Sequence, residues 1–485
     1  MISRTTTVAH TGLVVTKITV ETDLRGGFPG FMIVGLPDTG VQEAKERIKS
    51  ACKNADLPFP STYRITVNLA PAAIRKEGPL YDLPIAVSIL LPAMGIAYAN
   101  HEDAIFLGEL ALDGSTRYTE GLLPALLGAR SQGIRTAYIP AANRVEAALV
   151  PDMCVIPVTG LAQLMSHLAG TRAITPVTPT PFTPPNPAII VDFAAIHGQH
   201  TCKRALEIAA AGHHNIFMSG PPGTGKTTLA HATAGILPPL THEEMLEVTQ
   251  LHALAGRTSQ ETPLVTSRPF RAPHHSASAS ALLGGGRRMI PGELSLAHRG
   301  ILFLDELPEF DRDVLEVLRQ PMEEGTITIA RAHAAHTYPT ACMVIAAQNP
   351  CPCGNADDPS NSCSCSAAAI DRYQKKISGP LLDRFDMHIR VARVSTADRA
   401  VATESTAVIR ERVCAARAFR VARAHDASTT TAEAQSLLDR ATDTFHLSLR
   451  THYRIMRVAR TIADLAASEH ITADHMLEAI RLRMP

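Results

Sequence analysis

The sequence lacks an excess of charge of either sign. Its 485 residues include 46 lysines and arginines and 46 aspartates and glutamates, so the formal net charge is +0. Bulk charge therefore does not indicate a polyanionic partner, although a locally basic channel would disappear in such a sum. If the protein binds nucleic acid, the affinity has to come from a local cluster of cations.

Long hydrophobic runs are also absent. The most apolar stretch, residues 80–98, is interrupted by Asp82 and by prolines, so we expect no membrane span. Residues 1–4 lead into a strand-like segment rather than into the apolar region of a secretory leader. Nine cysteines without a leader indicate a reducing compartment, where clustered cysteines favour metal over disulfides. We therefore expect a cytoplasmic protein that has no membrane partner.

The most informative stretch is SGPPGTGKTT at residues 219–228, which fits the pattern G-x-x-x-x-G-K-[ST]. An apolar strand-like run precedes it and a helix-like run follows, which is the context that a phosphate-binding loop requires. The glycines let backbone N–H groups converge on phosphates, and the helix N-terminus adds partial positive charge. A glycine-rich turn without a ligand would leave the Lys-Thr pair unexplained. The predicted nucleotide-binding residues are Gly220, Pro221, Pro222, Gly223, Thr224, Gly225, Lys226, Thr227 and Thr228.

A second element supports this interpretation. Residues 300–304 form an apolar strand that ends in Asp305 and Glu306. Lys226 is predicted to neutralise the β- and γ-phosphates, and Thr227 and Asp305 to hold Mg²⁺. Glu306 is predicted to polarise the attacking water. A solvated acidic turn is the simpler interpretation of this strand taken alone, but the phosphate loop favours ATP binding and hydrolysis.

The chain is long enough for roughly three domains. Residues 1–172 mix strand and helix patterns, and prolines at short intervals among threonines make residues 173–187 a semi-rigid linker. The ATPase core is predicted over residues 188–395, with a β-hairpin arm beginning at residue 326. Residues 396–485 are predicted to be helical, in four segments at 400–423, 431–439, 449–467 and 472–482. The expected fold class is multidomain α/β.

Cysteines cluster in a loop at residues 351–365. Two C-x-C pairs bracket a segment rich in Gly, Asp, Pro and Ser, namely Cys351, Cys353, Cys363 and Cys365. Four thiolates so placed could surround one tetrahedral Zn²⁺. The alternative is a cysteine-bearing loop without metal, since C-x-C is tighter than the usual C-x-x-C spacing. The adjacent His274 and His275 do not share a helix face and have no acidic partner nearby in the sequence, so no metal site is predicted there.

Several uncommon strings resemble those of the Mg-chelatase-like AAA+ ATPases, the family typified by ComM and YifB. They include SRPFRAPHH at 267–275, PGELSLAH at 291–298 and DELPEF at 305–310. Residues 68–72 and 76–84 resemble the Lon-protease-type domain at the N-terminus of these ATPases. The resemblance runs through nearly all the chain. It implies a Lon-protease-like N-terminal α/β domain, an AAA+ P-loop NTPase core and a C-terminal α-helical lid.

The resemblance also bears on peptidase activity. Lon-type proteases use a Ser–Lys dyad. The nucleophile would stand at Leu80 and the lysine within residues 121–123, where Leu123 is found. Leucine can neither attack a peptide nor accept a proton, so we expect no protease activity.

Three further catalytic residues are implied by the resemblance. Asn349 occupies the sensor position that contacts the γ-phosphate or orients the attacking water. Arg384 would reach the ATP of a neighbouring subunit, unless it pairs locally with a nearby aspartate. Arg450 matches the lid arginine that contacts the γ-phosphate, with Arg454 in reserve.

By the same resemblance, the protein would be a hexameric DNA translocase. It would act on single-stranded or branched DNA and promote branch migration during natural transformation. The candidate DNA contacts are Arg287, Arg288, Arg271 and Arg331. Arg268 and Arg271 could instead hold their own segment through internal hydrogen bonds. A chelatase-type motor subunit is the alternative function, and only ATP binding and hydrolysis follow from the residues themselves.

Overall fold

The computed structural model divides the chain into two compact units. Unit 1 comprises Met1–Thr183 and Thr249–Val265, and unit 2 comprises Pro184–Val248 and Thr266–Pro485. The residues that the structure describes are 1–98, 103–180, 184–185, 189–286, 289–331, 334–356, 361–394, 403–423 and 430–484.

Unit 1 is a mixed α/β structure. Its strands are β1 Ile2–Thr11, β2 Val14–Arg25, β3 Gly30–Val34, β4 Arg64–Ala70, β5 Ala104–Phe106, β6 Glu109–Leu110, β7 Thr116–Arg117, β8 Thr136–Pro140 and β9 Cys154–Val158. Its helices are α1 Thr39–Asn54, α2 Asp82–Ala93, α3 Leu122–Ser131, α4 Arg144–Ala147 and α5 Leu161–Leu168. The larger sheet has the order β1-β2-β4-β3, and the smaller sheets are β5-β8-β9 and β6-β7.

The packing of unit 1 follows from its sequence pattern. Apolar and polar residues alternate along β2, so Ile18, Val20 and Leu24 face the core. Helix α2 is apolar on all sides, and every residue from Asp82 to Leu91 is buried. Leu80 and Leu123, where the resemblance would place the dyad, are also buried.

Residues 249–265 fall within the predicted ATPase core, but the structure groups them with unit 1. Leu251 and Thr258 are buried, and the hydroxyl of Tyr118 hydrogen-bonds Thr258. The backbone N–H of Val265 donates to Thr249 Oγ1 at 3.0 Å, which closes the segment at its base. The early part of the predicted linker also follows unit 1, because Val177 N–H donates to the carbonyl of Val155.

Unit 2 is built on a five-stranded sheet with the order β11-β14-β17-β10-β18, in which all pairs are parallel. The strands of unit 2 are β10 Ile216–Ser219, β11 Phe270–Arg271, β12 Gly284–Gly285, β13 Ile290–Pro291, β14 Ile301–Leu304, β15 Thr326–Arg331, β16 Ala334–Pro339, β17 Met343–Gln348 and β18 Met387–Arg390. Strands β12 and β13 form one separate pair, and β15 and β16 form another. The helices of unit 2 before residue 400 are α6 His200–Gly212, α7 Lys226–Ile236, α8 His242–Leu254, α9 Ala279–Leu283, α10 Glu293–Leu296, α11 Arg312–Val317, α12 Arg319–Glu324, α13 Ala367–Gln374 and α14 Gly379–Leu382. Helix α8 begins in unit 2 and continues into the segment from residue 249 that belongs to unit 1.

The central strands of this sheet are buried on both faces, as expected for parallel strands covered by helices. Ile301 and Phe303 of β14 contribute to one apolar cluster, whereas Leu302 and Leu304 contribute to the other. The first cluster includes residues of α6 and α7, and the second includes residues of α11. This double burial fixes where each strand ends, and therefore positions the loops at its carboxyl end.

Four helices complete unit 2, namely α15 Thr406–Ala422, α16 Ala432–Phe445, α17 Leu449–Leu465 and α18 Ala473–Arg483. All four were predicted, although α16 continues beyond the expected residue 439. The predicted hairpin is confirmed, because β15 and β16 pair antiparallel with Thr326 opposite Pro339. Among the described residues, no helix is both long and apolar enough to cross a membrane.

Candidate nucleotide-binding site

The predicted phosphate loop joins β10 to the first turn of α7. Gly225 is the N-cap of α7 with φ +89°, and Gly223 also has positive φ. A Cβ atom on either glycine would meet nothing within 4 Å, so open space lies beside the loop backbone. Gly220 is different, because a Cβ there would lie 2.2 Å from the carbonyl oxygen of Val391. The glycines therefore serve both a tight packing contact and an accessible backbone.

Lys226 is held at the centre of the loop. Its Nζ donates to the carbonyl oxygens of Gly220 at 2.6 Å and Pro221 at 3.0 Å, and to Asn349 Oδ1 at 3.1 Å. Burial lowers the pKa of Lys226, and the negative charges of Asp305 and Glu306 oppose that shift. An ammonium group with only carbonyl and amide acceptors is well suited to bind an incoming anion.

The two predicted Mg²⁺ ligands lie in direct contact. Thr227 Oγ1 donates to Asp305 Oδ2 at 2.9 Å, and the other oxygen, Asp305 Oδ1, accepts from the backbone N–H of Glu306 at 2.9 Å. Glu306 has φ +50°, and its side chain is about half exposed. The carboxylate at the end of β14 thus meets the hydroxyl at the start of α7.

Three neighbouring strands bring these groups together. The phosphate loop follows β10, Asp305 follows β14, and Asn349 follows β17, which lies between them in the sheet. The carboxyl ends of parallel strands share one edge, where α/β proteins bind their ligands. The residues fit a nucleoside triphosphate with Mg²⁺. A lysine and an accessible loop backbone suit the phosphates, and a hydroxyl and a carboxylate suit the metal ion.

One neighbour of Glu306 was not predicted from the sequence. His275 Nδ1 lies 3.6 Å from Glu306 Oε2. His275 follows β11, which is the strand beside β14, so its position at this edge could have been inferred had β11 been recognised. At this distance the imidazole is placed to steer the carboxylate that is predicted to orient water.

Arg384 and Arg450 pair with the same carboxylate. Arg384 Nη2 and Arg450 Nη2 each lie 3.1 Å from an oxygen of Glu323, which belongs to α12 just before the hairpin. Arg384 also donates to the carbonyl oxygens of Arg319 and Pro380. Its side chain is 7% exposed, compared with 49% for that of Arg450. A cavity of about 490 Å³ is lined by both Arg384 and Glu323. The two arginines were predicted from the sequence, but Glu323 was not.

Arg454, the second candidate for the lid arginine, does not pair with Glu323 but with Asp386. Its Nη1 donates to Asp386 Oδ1 at 2.7 Å and to the carbonyl of Arg384 at 2.9 Å. Burial acts to raise the pKa of Asp386, but the neighbouring His214, at 3.7 Å, and the charge of Arg454 outweigh it and lower the pKa well below its usual range. Arg454 therefore ties α17 to the segment that carries Arg384.

The predicted DNA contacts are placed unequally. Arg287 and Arg288 lie outside the described residues, and for Arg331 only the backbone is described, as the last residue of β15. Arg271 forms two hydrogen bonds to Glu293, at 2.5 and 2.6 Å. Arg268 likewise binds Glu244 and three backbone carbonyls. Both arginines make the internal contacts that were the alternative to DNA binding.

The four cysteines of the 351–365 loop come together. Cys351 Sγ lies 3.3 Å from Cys353 Sγ and 3.7 Å from Cys363 Sγ, and all four sulfur atoms lie within 4.8 Å of one another. All four are free thiols. Hydrogen bonds from the backbone of Asn355 and Ser364 lower the pKa of Cys353 to about 5. This arrangement provides a four-sulfur site of the size that a single metal ion needs.

The parallel sheet, the loop after β10 and the acidic residue after β14 are those of a P-loop NTPase core. The family model described as "Magnesium chelatase, subunit ChlI" matches residues 192–399, "Subunit ChlI of Mg-chelatase" matches 20–143, and "Magnesium chelatase, subunit ChlI C-terminal" matches 403–483.

Similar proteins cover almost the whole chain. Competence protein ComM of Haemophilus influenzae is 40% identical over 98% of this chain and 96% of its own length. YifB of Escherichia coli is 38% identical over the same shares. The magnesium-chelatase 67 kDa subunit of Heliobacterium mobile is 30% identical over 32% of this chain. The protein therefore belongs to the Mg-chelatase-like AAA+ family that includes ComM and YifB.

Proposed function

We propose that the protein is an ATP-hydrolysing AAA+ motor that moves along single-stranded or branched DNA and promotes branch migration during natural transformation. The observation that carries the ATPase part is the meeting of Lys226, Thr227, Asp305 and Asn349 at one edge of the sheet. In this proposal Lys226 binds the β- and γ-phosphates, and Thr227 and Asp305 hold Mg²⁺. Glu306 and Asn349 orient the water.

The DNA part is supported by a relative that is named a competence protein and by the hairpin of β15 and β16. Six copies of a few arginines around a pore would make a dense positive ring in a chain of +0 net charge. Arg287, Arg288 and Arg331 are the proposed contacts. Arg271 is the weaker candidate, because Glu293 already neutralises it.

The remaining parts of the proposal concern architecture and cofactors. Residues 1–172 form a Lon-protease-like domain without protease activity, and 396–485 a helical lid that supplies Arg450. The motor is a cytoplasmic hexamer in which Arg384 completes the ATP site of the next subunit. ATP and Mg²⁺ are its cofactors, and the four-cysteine loop holds Zn²⁺.

A chelatase-type motor, which would couple ATP hydrolysis to metal insertion, is the alternative. The partial match to a magnesium-chelatase subunit favours it, but that match covers 32% of the chain, whereas ComM covers 98%.

ATPase activity measured with no DNA, single-stranded DNA and branched DNA tests the proposed function. We expect the rate to rise several-fold with branched DNA, because a translocase hydrolyses ATP faster when it is bound to its track. Equal rates under all three conditions would contradict the DNA motor and leave the alternative. Lys226→Ala, assayed in parallel, controls for contaminating ATPases.

Replacing Arg287 and Arg288 together by Ala should weaken DNA binding and reduce its dependence on salt. Each phosphate contact contributes about 0.7–0.9 to the slope of log affinity against log salt, so the loss of both residues should lower the slope measurably. Basal ATPase and hexamer formation should be unchanged. Arg4→Ala with Arg25→Ala, two exposed arginines of unit 1, is the matched control. An unchanged affinity and slope would exclude these positions.

A further inference from the structure

We propose that the four-cysteine loop is a zinc site that braces the phosphate loop, so that ATP affinity depends on bound zinc. This inference rests on the proposed ATPase function and adds a structural cofactor that regulates the same site. The four cysteines are arranged for one tetrahedral metal, and the segment that carries them contacts the phosphate loop.

The sulfur separations fit a metal centre. A tetrahedral Zn²⁺ with Zn–S bonds of about 2.3 Å has sulfur–sulfur edges of about 3.8 Å. The described separations include 3.3, 3.6 and 3.7 Å, and the four atoms all lie within 4.8 Å of one another. Four soft sulfur ligands without carboxylate or imidazole favour zinc over Mg²⁺ or Ca²⁺.

The loop needs such a centre, because its own apolar burial is slight. Among the described residues of 351–365, only Cys351 and Gly354 are buried. A structural metal commonly supplies the folding free energy that a short segment of this kind lacks. The thiols would lose their protons on binding, and the ion would neutralise charges that otherwise repel one another.

The first cysteine pair is joined to the phosphate loop by a close packing contact. Gly354 has φ +84°, and its backbone N–H donates to the carbonyl of Cys351 at 2.9 Å, which closes a turn through Cys353. A Cβ added to Gly354 would lie 2.6 Å from Cδ and 3.0 Å from Cγ of Pro222. Pro222 is part of the phosphate loop itself, so this turn packs directly against the loop.

The same segment contacts the site a second time. Asn349 lies two residues before Cys351, and its Oδ1 accepts from Lys226 Nζ. The second cysteine pair is anchored beyond the loop, since Cys365 precedes Ser366, the N-cap of α13, whose Oγ accepts from Ala369 N–H. Gln374 at the end of α13 donates to the carbonyl of Pro350 at 3.4 Å. A metal that joins the two pairs therefore closes a ring of contacts around residues 349–354.

The physical consequence is preorganisation. With the metal bound, the Gly354 turn stays against Pro222, and Asn349 stays within reach of Lys226. Without the metal, the Gly354 turn can move away from Pro222. ATP then has to order this turn and the segment that carries Asn349 when it binds. The ordering entropy is then subtracted from the binding free energy. We expect ATP affinity to fall about tenfold or more.

The test uses the full chain, purified without chelator. Elemental analysis should find about one zinc per chain. Cys363→Ser with Cys365→Ser should lose the zinc and bind ATP at least about tenfold more weakly, as measured by titration with a fluorescent ATP analogue. Cys154→Ser and Cys414→Ser, outside the loop, should keep both properties. Gly354→Ala should keep the zinc but weaken ATP binding, because its Cβ displaces the turn from Pro222 while the four thiols remain.

A second measurement protects the test against misfolded variants. A strong zinc chelator applied to the wild-type protein, with Mg²⁺ restored in excess, should weaken ATP binding, and added Zn²⁺ should restore it. If the wild-type protein contains no zinc, the proposed metal site is wrong. If zinc-free protein binds ATP as tightly as zinc-bound protein, the proposed support of the phosphate loop by zinc is wrong. Protein that holds one zinc but binds no ATP overturns the proposed ATPase function and with it the coupling, while the metal site stands.

Discussion

Arg384→Ala is expected to reduce ATP hydrolysis by about 10³–10⁵-fold, the effect of a trans-acting arginine in GTPases, while ATP affinity stays nearly unchanged. The reason is that the guanidinium would stabilise charge that develops only in the transition state of the neighbouring subunit. Steady-state hydrolysis and equilibrium ATP binding, measured on the same preparation, check the two halves of this expectation.

The structure supplies a sharper version of that experiment. Arg384 is bonded within its own chain to Glu323 and to two backbone carbonyls, so its removal could also disturb α12. Mixed rings distinguish the roles. Arg384→Ala subunits keep an intact Glu306, and Glu306→Gln subunits keep an intact Arg384, so mixing should restore some hydrolysis at shared interfaces. Well-mixed rings without recovery would assign Arg384 a local role.

Lys226→Ala is expected to abolish ATP binding, whereas Glu306→Gln should bind ATP and fail to turn it over. Two charge-assisted hydrogen bonds to phosphate are worth about 1.5–3 kcal/mol each, so the loss of Lys226 should weaken ATP binding by about 10²–10⁴-fold. The side-chain amide that Glu306→Gln introduces cannot accept a proton from water, and general-base catalysis contributes about 10²–10⁴-fold to the rate.

The two variants control for each other. Both change a charged group at the same edge of the sheet, but only one of the groups lies where phosphate would bind. ATP binding is measured by titration and turnover by phosphate release. Wild-type turnover in Glu306→Gln would exclude Glu306 as the base and direct attention to its neighbour, His275.

Most of the features that could be predicted from the sequence depend on residues close together in the chain. The strand, glycine loop and helix around Lys226 are contiguous, so their geometry follows from a short motif. Asp305 could be placed beside Thr227 because carboxyl ends of parallel strands share an edge. The helix patterns of the last 90 residues were equally local. For α16 the prediction stopped too early, because Ala441, beyond Asp439, continues the buried face that Ala434 and Leu438 begin.

Contacts between distant segments could not be predicted in this way. Glu323 meets Arg384 and Arg450 from two other parts of the chain, and no spacing in the sequence relates the three. No acidic residue lies close to Arg271 in the sequence, yet Arg271 forms an ion pair with Glu293 in the fold. His275 was set aside for lack of an acidic partner nearby in the chain, and Glu306 is that partner across the sheet.

The placement of residues 249–265 in unit 1 has a practical consequence for dividing the protein into parts. The chain enters unit 1 twice, so a fragment that ends near residue 183 is missing the piece that carries Leu251 and Thr258. A fragment that starts after the linker carries that piece without the rest of unit 1. Cleavage within residues 173–187 therefore does not separate the two compact units, and an isolated unit 2 requires a short replacement loop between residues 248 and 266.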